Sequence, residues 1–389
     1  MANFSPSMIS KPEITKNAII PLDLNKESTF SQIDELKDKK IIGIGETAHT
    51  TSEFPTIAYA LMKERILHHN CKLVVIELPF SFALKLNLFI NQETSFGVAE
   101  IKEPIKHSLI PLDELIDFLL WLKNYNKTAE RKVTIVGMGV DEFELNKDLL
   151  SYLNEYIPID SSLFAPIYAD ISNQENSEAW NKIFKDRGHF DRILGKGETN
   201  MLLHALRNPA PLLKLGIENK FIFTERDSLM NDRTMIAIDN FLQKDETAVV
   251  YGHLIHTNKN GAWIPRFRPS VGTYLSNTFD DEYFSIGLMT YSEEMELISN
   301  SKKKKMKDIE VFWKTQMAFQ PAPPNSLETA CEKTKVPLFY MPVSELPATV
   351  LLRESGMNIF QGRFDYYPVT GMDAFIFVDR VHKKRVEFN

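Results

Sequence analysis

Three short stretches of this 389-residue chain combine ionisable side chains at spacings that suit proton transfer. Glu46-Thr47-Ala48-His49 sets a carboxylate three residues before an imidazole. Gly252-His253-Leu254-Ile255-His256 sets two imidazoles three apart. Glu77 stands between them in sequence, and Gly137 and Gly139 lead to Asp141-Glu142. A neutral imidazole takes a proton from water near pH 7, and a neighbouring carboxylate orients it. The same residues also suit a metal. Glu46, His49, Glu77, His253 and His256 could converge as mixed N/O ligands of zinc or manganese, although the His-Glu-x-x-His pattern is missing. A buried histidine hydrogen-bonded to a glutamate can also be purely structural. Serine nucleophiles and phosphate loops find no support: there is no Gly-x-Ser-x-Gly elbow, and Gly137-x-Gly139 lacks a third glycine and a following Lys-Ser/Thr.

The elements that must carry these residues are short apolar runs rich in β-branched residues. They are 41–44, 73–76, 133–136, 248–251, 283–286, 338–340 and 374–378. Mostly apolar throughout, they read as strands covered on both faces. Helical stripes separate them: 55–70, 83–91, and 112–125 with Leu112, Leu115, Ile116, Leu119, Leu120 and Leu122. Strand, helix, strand predicts an α/β fold with a mainly parallel central sheet and helices on both faces. Four strands then deliver Glu46, Glu77, Asp141 and His253 to one carboxyl edge, where open parallel sheets bind ligands. That convergence favours a site over coincidence.

A helix should begin near residue 52, because Thr50, Thr51 and Ser52 are N-cap types and Pro55 fits a first turn. Glu53, three residues after Thr50, reads as the second half of a capping box. Helical patterns at 148–156, 179–184, 199–206 and 211–215 predict an insertion at about 145–220 that covers the cleft of a single domain spanning 1–389. Polar, proline-rich sequence at about 295–335 predicts a loop, with Lys302 to Lys305 and Lys307 as a solvated basic run.

Net charge is −7, and no acidic or basic block suggests a nucleic-acid surface. Two cysteines exclude a disulfide framework but not one bridge; Cys71, just before a strand, is expected to be half buried. His68, His69, His107, His189, His204 and His382 are expected at the surface. Residues 1–17 are polar, with no signal-like apolar core, and no stretch approaches a membrane span. The expectation is a cytoplasmic protein with a small-molecule substrate and no nucleic-acid or membrane partner.

An ordered set of motifs resembles the erythromycin esterase family. It comprises Gly45-Glu46-Thr47-Ala48-His49 with Glu53-Phe54, then Glu77, Asn87, Trp121 to Asn126, and the strand end from Gly137 to Asp141. Arg226-Asp227-Ser228-Leu229-Met230, Tyr251 to His256, Gly272, Leu275, Ser326-Leu327-Glu328 and Asp373-Ala374 continue the order. The resemblance implies an α/β sheet with a helical cover and hydrolysis of an ester or lactone by water attack, without a serine nucleophile or required metal or other cofactor. Carried over by position, it makes His49 the general base, with Glu46 and Glu77 orienting the imidazole and the water. Arg226 and one or both of His253 and His256 would stabilise the oxyanion, and Asp141 and Asp227 would contact substrate. The chain departs from the pattern at Thr50, where the family has glycine, at Ser52, where it has arginine, and at Leu254, where it has asparagine. These departures point away from a standard macrolide. A metallohydrolase built on the same cluster and a non-catalytic binding protein are the competing readings.

Overall fold

The computed structural model describes residues 12–26, 28–49, 51–91, 97–105, 112–140, 185, 187–193, 195–207, 223–260, 269–295, 321–353 and 364–383. Its strands are β1 (Ile20–Pro21), β2 (Ile41–Glu46), β3 (Cys71–Pro79), β4 (Thr134–Gly139), β5 (Thr247–His253), β6 (Tyr283–Met295), β7 (Leu338–Pro342), β8 (Thr349–Arg353), β9 (Phe364–Pro368) and β10 (Ala374–Lys383). Its α-helices are α1 (Glu53–His68), α2 (Phe80–Asn91), α3 (Val98–Ile105), α4 (Leu112–Thr128), α5 (Arg187–Ile193), α6 (Lys196–Arg207), α7 (Phe223–Phe241), α8 (Leu254–Thr257), α9 (Val271–Phe279) and α10 (Leu327–Glu332).

Eight strands form one sheet in the order β1-β7-β10-β6-β2-β5-β3-β4. From β10 to β4 every neighbouring pair is parallel, while β7 is antiparallel to both β10 and β1. The α/β expectation therefore holds, with a mixed edge. All seven apolar runs are strands. The sequence reading missed β1 and the β8–β9 hairpin, which forms a separate two-stranded sheet.

The two-residue period of the strands sorts their side chains onto two faces. Ile42, Ile44, Val74, Ile76, Val249 and Tyr251 share one core with Phe54 and Ile57 of α1 and Leu115 and Phe118 of α4. Ile41, Leu73, Val75, Ala248 and Val250 share the other with Met230 and Ala237 of α7 and Val271 and Leu275 of α9. Under β6 and β10, a third core of Met289, Phe375 and Phe377 is closed by α10 and β8. Cys71 is fully buried rather than half buried, because it opens β3 inside the first core. Both cysteines are free thiols.

The loop expected at 295–335 is interrupted. Ser326 accepts a hydrogen bond from Thr329 N–H and caps α10, so residues 327–332 are helical. Residues 296–320 lie outside the described residues, as does most of the expected insertion at 145–220. The part of the insertion that is described, α5 and α6, is helical.

Candidate active site

The chain reverses direction across the sheet at β2. From β2 it runs outward to β3 and β4, returns to insert β5 beside β2, then places β6 on the other flank. The carboxyl edge at this reversal is where connections diverge and leave a crevice. Glu46 closes β2, and its Cα partner on β5 is His253.

On one side of that edge, His49 turns back over the strand that precedes it. Its Nδ1 lies 2.7 Å from Glu46 Oε1. The other carboxylate oxygen, Oε2, accepts a hydrogen bond from the Tyr251 hydroxyl. Glu46 is almost fully buried, whereas the His49 side chain keeps 18% exposure, so the pair has a wet end and a dry end. With Nδ1–H given to Glu46, Nε2 of His49 has no hydrogen-bond partner among the described residues. Burial and the Glu46 charge both hold the Tyr251 phenol well above its usual pKa, so it is a neutral donor. Tyr59 behind it is held up in the same way.

On the other side stands a second buried group. Glu77 Oε1 accepts from Arg226 NH2 at 3.1 Å and lies 3.2 Å from His256 Nε2. His256 Nδ1 lies 2.8 Å from Asp227 Oδ1, which also accepts from Val271 N–H at the start of α9. Arg226 and Asp227 are adjacent on α7, so one helix turn delivers both a cation and an anion. Nε2 of His256 also has Arg226 NH1 at 2.8 Å. Two carboxylates against one guanidinium leave room for a second positive charge. Burial pushes the imidazole pKa down, but Asp227 and Glu77 outweigh it and raise it to about 9. Asp227 and Glu77 therefore favour the imidazolium, whereas the Arg226 NH1 contact, itself a donor, favours an unprotonated Nε2. Burial would raise the Glu77 carboxyl; the His256 charge overcomes this, with help from Arg226 and His49, and holds it well below the usual range.

His253 joins the two groups. Its backbone N–H donates to Glu77 Oε2 at 2.7 Å, and its ring centroid lies 4.7 Å from that of His49. Burial and the nearby His49 hold its pKa well below the usual value, so the ring is neutral. Nδ1 accepts from Ile255 N–H at 3.4 Å, which leaves the proton on Nε2. This backbone bond also starts α8, the single turn that swings His256 back towards Glu77.

Two glycines allow the layers to approach. A Cβ on Gly45 would lie 2.7 Å from Leu254 Cα, so glycine lets α8 rest directly on β2. A Cβ on Gly252 would lie 2.9 Å from Glu77 Oε2, so the carboxylate occupies the space of the missing side chain.

The structure thus brings together Glu46, His49, Glu77, Arg226, Asp227, His253 and His256. Asp141 lies outside the described residues. Asp227 does not face a cleft: it is fully buried, and Oδ1 is given to His256 and α9. Tyr251 was missed by the sequence reading, although it precedes His253 by two and so shares its face of β5. Thr50, the other half of the expected capping box, lies outside the described residues; the Glu53 carboxylate takes the backbone N–H of His382 at 2.7 Å. No group of three or more His, Cys, Asp or Glu side chains is arranged to hold a metal ion among the described residues. Nor, among those residues, is any helix long and apolar enough to cross a membrane. His68 and His382 are exposed, and His69 and His204 half-buried; His107 is outside the described residues, as is the side chain of His189.

A mostly parallel α/β sheet with carboxylate–imidazole pairs gathered at one carboxyl edge defines the general class. Residues 210–381 match the family model described as erythromycin esterase. Erythromycin esterase type II of Escherichia coli is 21% identical over 328 residues, covering 72% of this chain and 77% of that protein. A solved succinoglycan biosynthesis protein superposes with a TM-score of 0.67 at 17% identity, covering 95% of this chain and 96% of the other. A histidine-to-asparagine mutant of the erythromycin esterase EreC, in its open conformation, gives 0.57 at 14% identity over 97% of this chain and all of that one. The chain is thus erythromycin esterase-like, with the family match lying on residues 210–381 and distant likeness to those hydrolases over most of its length.

Proposed function

We infer that the protein hydrolyses a carboxylic ester or lactone of a small molecule by attack of a water activated by His49. The observation that carries this reading is the Glu46–His49 pair, whose imidazole keeps 18% exposure and has the neutral His253 ring 4.7 Å away. His49 Nε2 takes a proton from water as the oxygen attacks the acyl carbon, and Glu46 stabilises the imidazolium that forms. The carbonyl π electrons move to oxygen, where Nε2–H of His253 and the Arg226 guanidinium supply donors. His256 has both nitrogens engaged, so it contributes positive charge from behind. The intermediate collapses, the C–O bond breaks, and His49 returns the proton to the leaving alkoxide. Glu77 orders Arg226, His256 and the His253 backbone, and Asp227 holds His256 rather than touching substrate. The chain supplies both base and cationic donors, so the scheme needs no metal. Thr50, Ser52 and Leu254 favour a substrate other than a standard macrolide.

The test is turnover of a panel of nitrophenyl esters and lactones by chelator-treated protein. Wild type should hydrolyse at least one, and His49→Ala should lose about 10²- to 10⁴-fold while keeping its far-UV circular dichroism. A folded His49→Ala variant with wild-type turnover would overturn the reading, as would activity that disappears with chelator and returns with zinc or manganese.

A further inference from the structure

β6 and β10 do not stop at the sheet edge. Leu288 is level with Glu46, and Ile376 is level with Leu288. Both strands continue as a paired ribbon to Met295 and Lys383, past the point where β2 ends. The segment between Glu46 and Glu53 carries His49, and this ribbon grips it at both ends. Thr47 N–H donates to Leu288 O at 3.2 Å, at the near end. At the far end, Ser52 N–H donates to His382 O at 3.0 Å. Glu53 then closes the ring of contacts. Its Oε2 accepts from His382 N–H at 2.7 Å, and its Oε1 lies 2.6 Å from His382 Nδ1. The Ser52 hydroxyl adds a bond to Glu114 of α4.

These bonds are more than a helix start needs. Ser52 makes no side-chain cap, and Glu53 spends its carboxylate on a strand 329 residues away instead of on its own helix. Without attachment to that strand the far end of the His49 loop would be held by the Ser52 hydroxyl bond to Glu114 alone, while its ring must be kept against both Glu46 and His253. We propose that Glu53 and His382 are positioning residues: their clasp sets the orientation of the His49 ring from the far side of its loop. The proposal rests on His49 being the general base, and a general base displaced by even an ångström loses most of its advantage.

The test compares Glu53→Ala, Glu53→Gln and His382→Ala, with kinetics and with the imidazole Cε1–H resonance of His49 in protein labelled with ¹³C at that carbon. The resonance is assigned by its absence in His49→Asn. Glu53→Ala should lower kcat about 10- to 100-fold with KM held within about twofold, because orientation and not binding is lost. Its His49 resonance should shift or split into exchanging forms. Glu53→Gln keeps an acceptor for His382 N–H and should recover most of kcat and a single resonance. His382→Ala keeps both backbone bonds and should move both readouts the same way, more mildly. A folded Glu53→Ala protein with wild-type kcat and an unmoved His49 resonance would overturn the proposal. If Glu53→Ala does not fold, the other two decide: no change in either overturns it, and graded change supports it. If wild type turns over no ester, the functional reading fails separately, and the resonance alone judges the clasp.

Discussion

The Tyr251 hydroxyl donates to the oxygen of Glu46 that faces away from His49. The carboxylate is thereby held at both ends, by a phenol from β5 and by the imidazole it serves. Tyr251→Phe removes the donor and leaves a buried carboxylate oxygen without it. The expected cost is about 1–3 kcal/mol in urea unfolding, with kcat reduced roughly tenfold and KM little changed. Equal stability and equal kcat in the variant would mean that the phenol is a bystander.

The charge of His256 gives stability a pH dependence with a definite sign. In the unfolded chain the imidazole titrates near about 6.5, and in the folded protein at about 9. Below the lower value both states are protonated, and the contribution is fully present. Between the two the unfolded chain has lost its proton and the folded protein keeps it, so stability falls as pH rises; above the upper value nothing is left. The full contribution is of order 3 kcal/mol. Urea unfolding of wild type and His256→Gln at pH 6, 7.5 and 9 should show a gap that narrows steadily with pH. A gap that stays constant would mean that folding leaves the His256 pKa unshifted, and one that widens with pH would place the ring neutral in the fold.

Gly45 is the contact point between β2 and the turn that bears His256. A methyl group there would collide with Thr257 Oγ1 and lie 2.7 Å from Leu254 Cα. Gly45→Ala should destabilise the protein by about 1–3 kcal/mol through overpacking, and should lower activity further by moving α8. Adding Thr257→Ala relieves the hydroxyl contact but not the backbone one, so the double variant should recover only part of the loss in a thermal melt. Full recovery would show that α8 does not press on β2 through its backbone.

The strands were legible because seven apolar runs, each bounded by polar or glycine residues, report burial on two faces directly. The strand-end placement of Glu46, Glu77 and His253 followed from the same runs. Partnerships were not legible. Glu53 looked like a local cap because sequence shows the residue three positions away and hides a strand 329 positions away. Asp227 sits beside Arg226 in the chain and looked like a substrate contact; only the fold turns it towards His256. Tyr251 was hidden by its setting, an apolar run in which an aromatic residue reads as core. It is indeed core at the ring and site at the hydroxyl. In 327–332, Ser326 with Leu327-Glu328 carried a readable helix start that the surrounding prolines obscured.

The interleaving of the strands has a consequence for how the protein is made. β2 and the His49 loop leave the ribosome early, yet their neighbours β5 and β6 come from residues 247–295, and the ribbon that fastens the loop is finished only by β10. During synthesis the loop can reach Glu114 of α4 early, but its β6 anchor comes only with Leu288 and its His382 anchor only near the end of the described chain. The pairings that build the site are long-range ones, which form late and slowly. A nascent chain therefore carries Glu46 and His49 long before it carries an active site, and activity should appear in a single late step rather than grow with length.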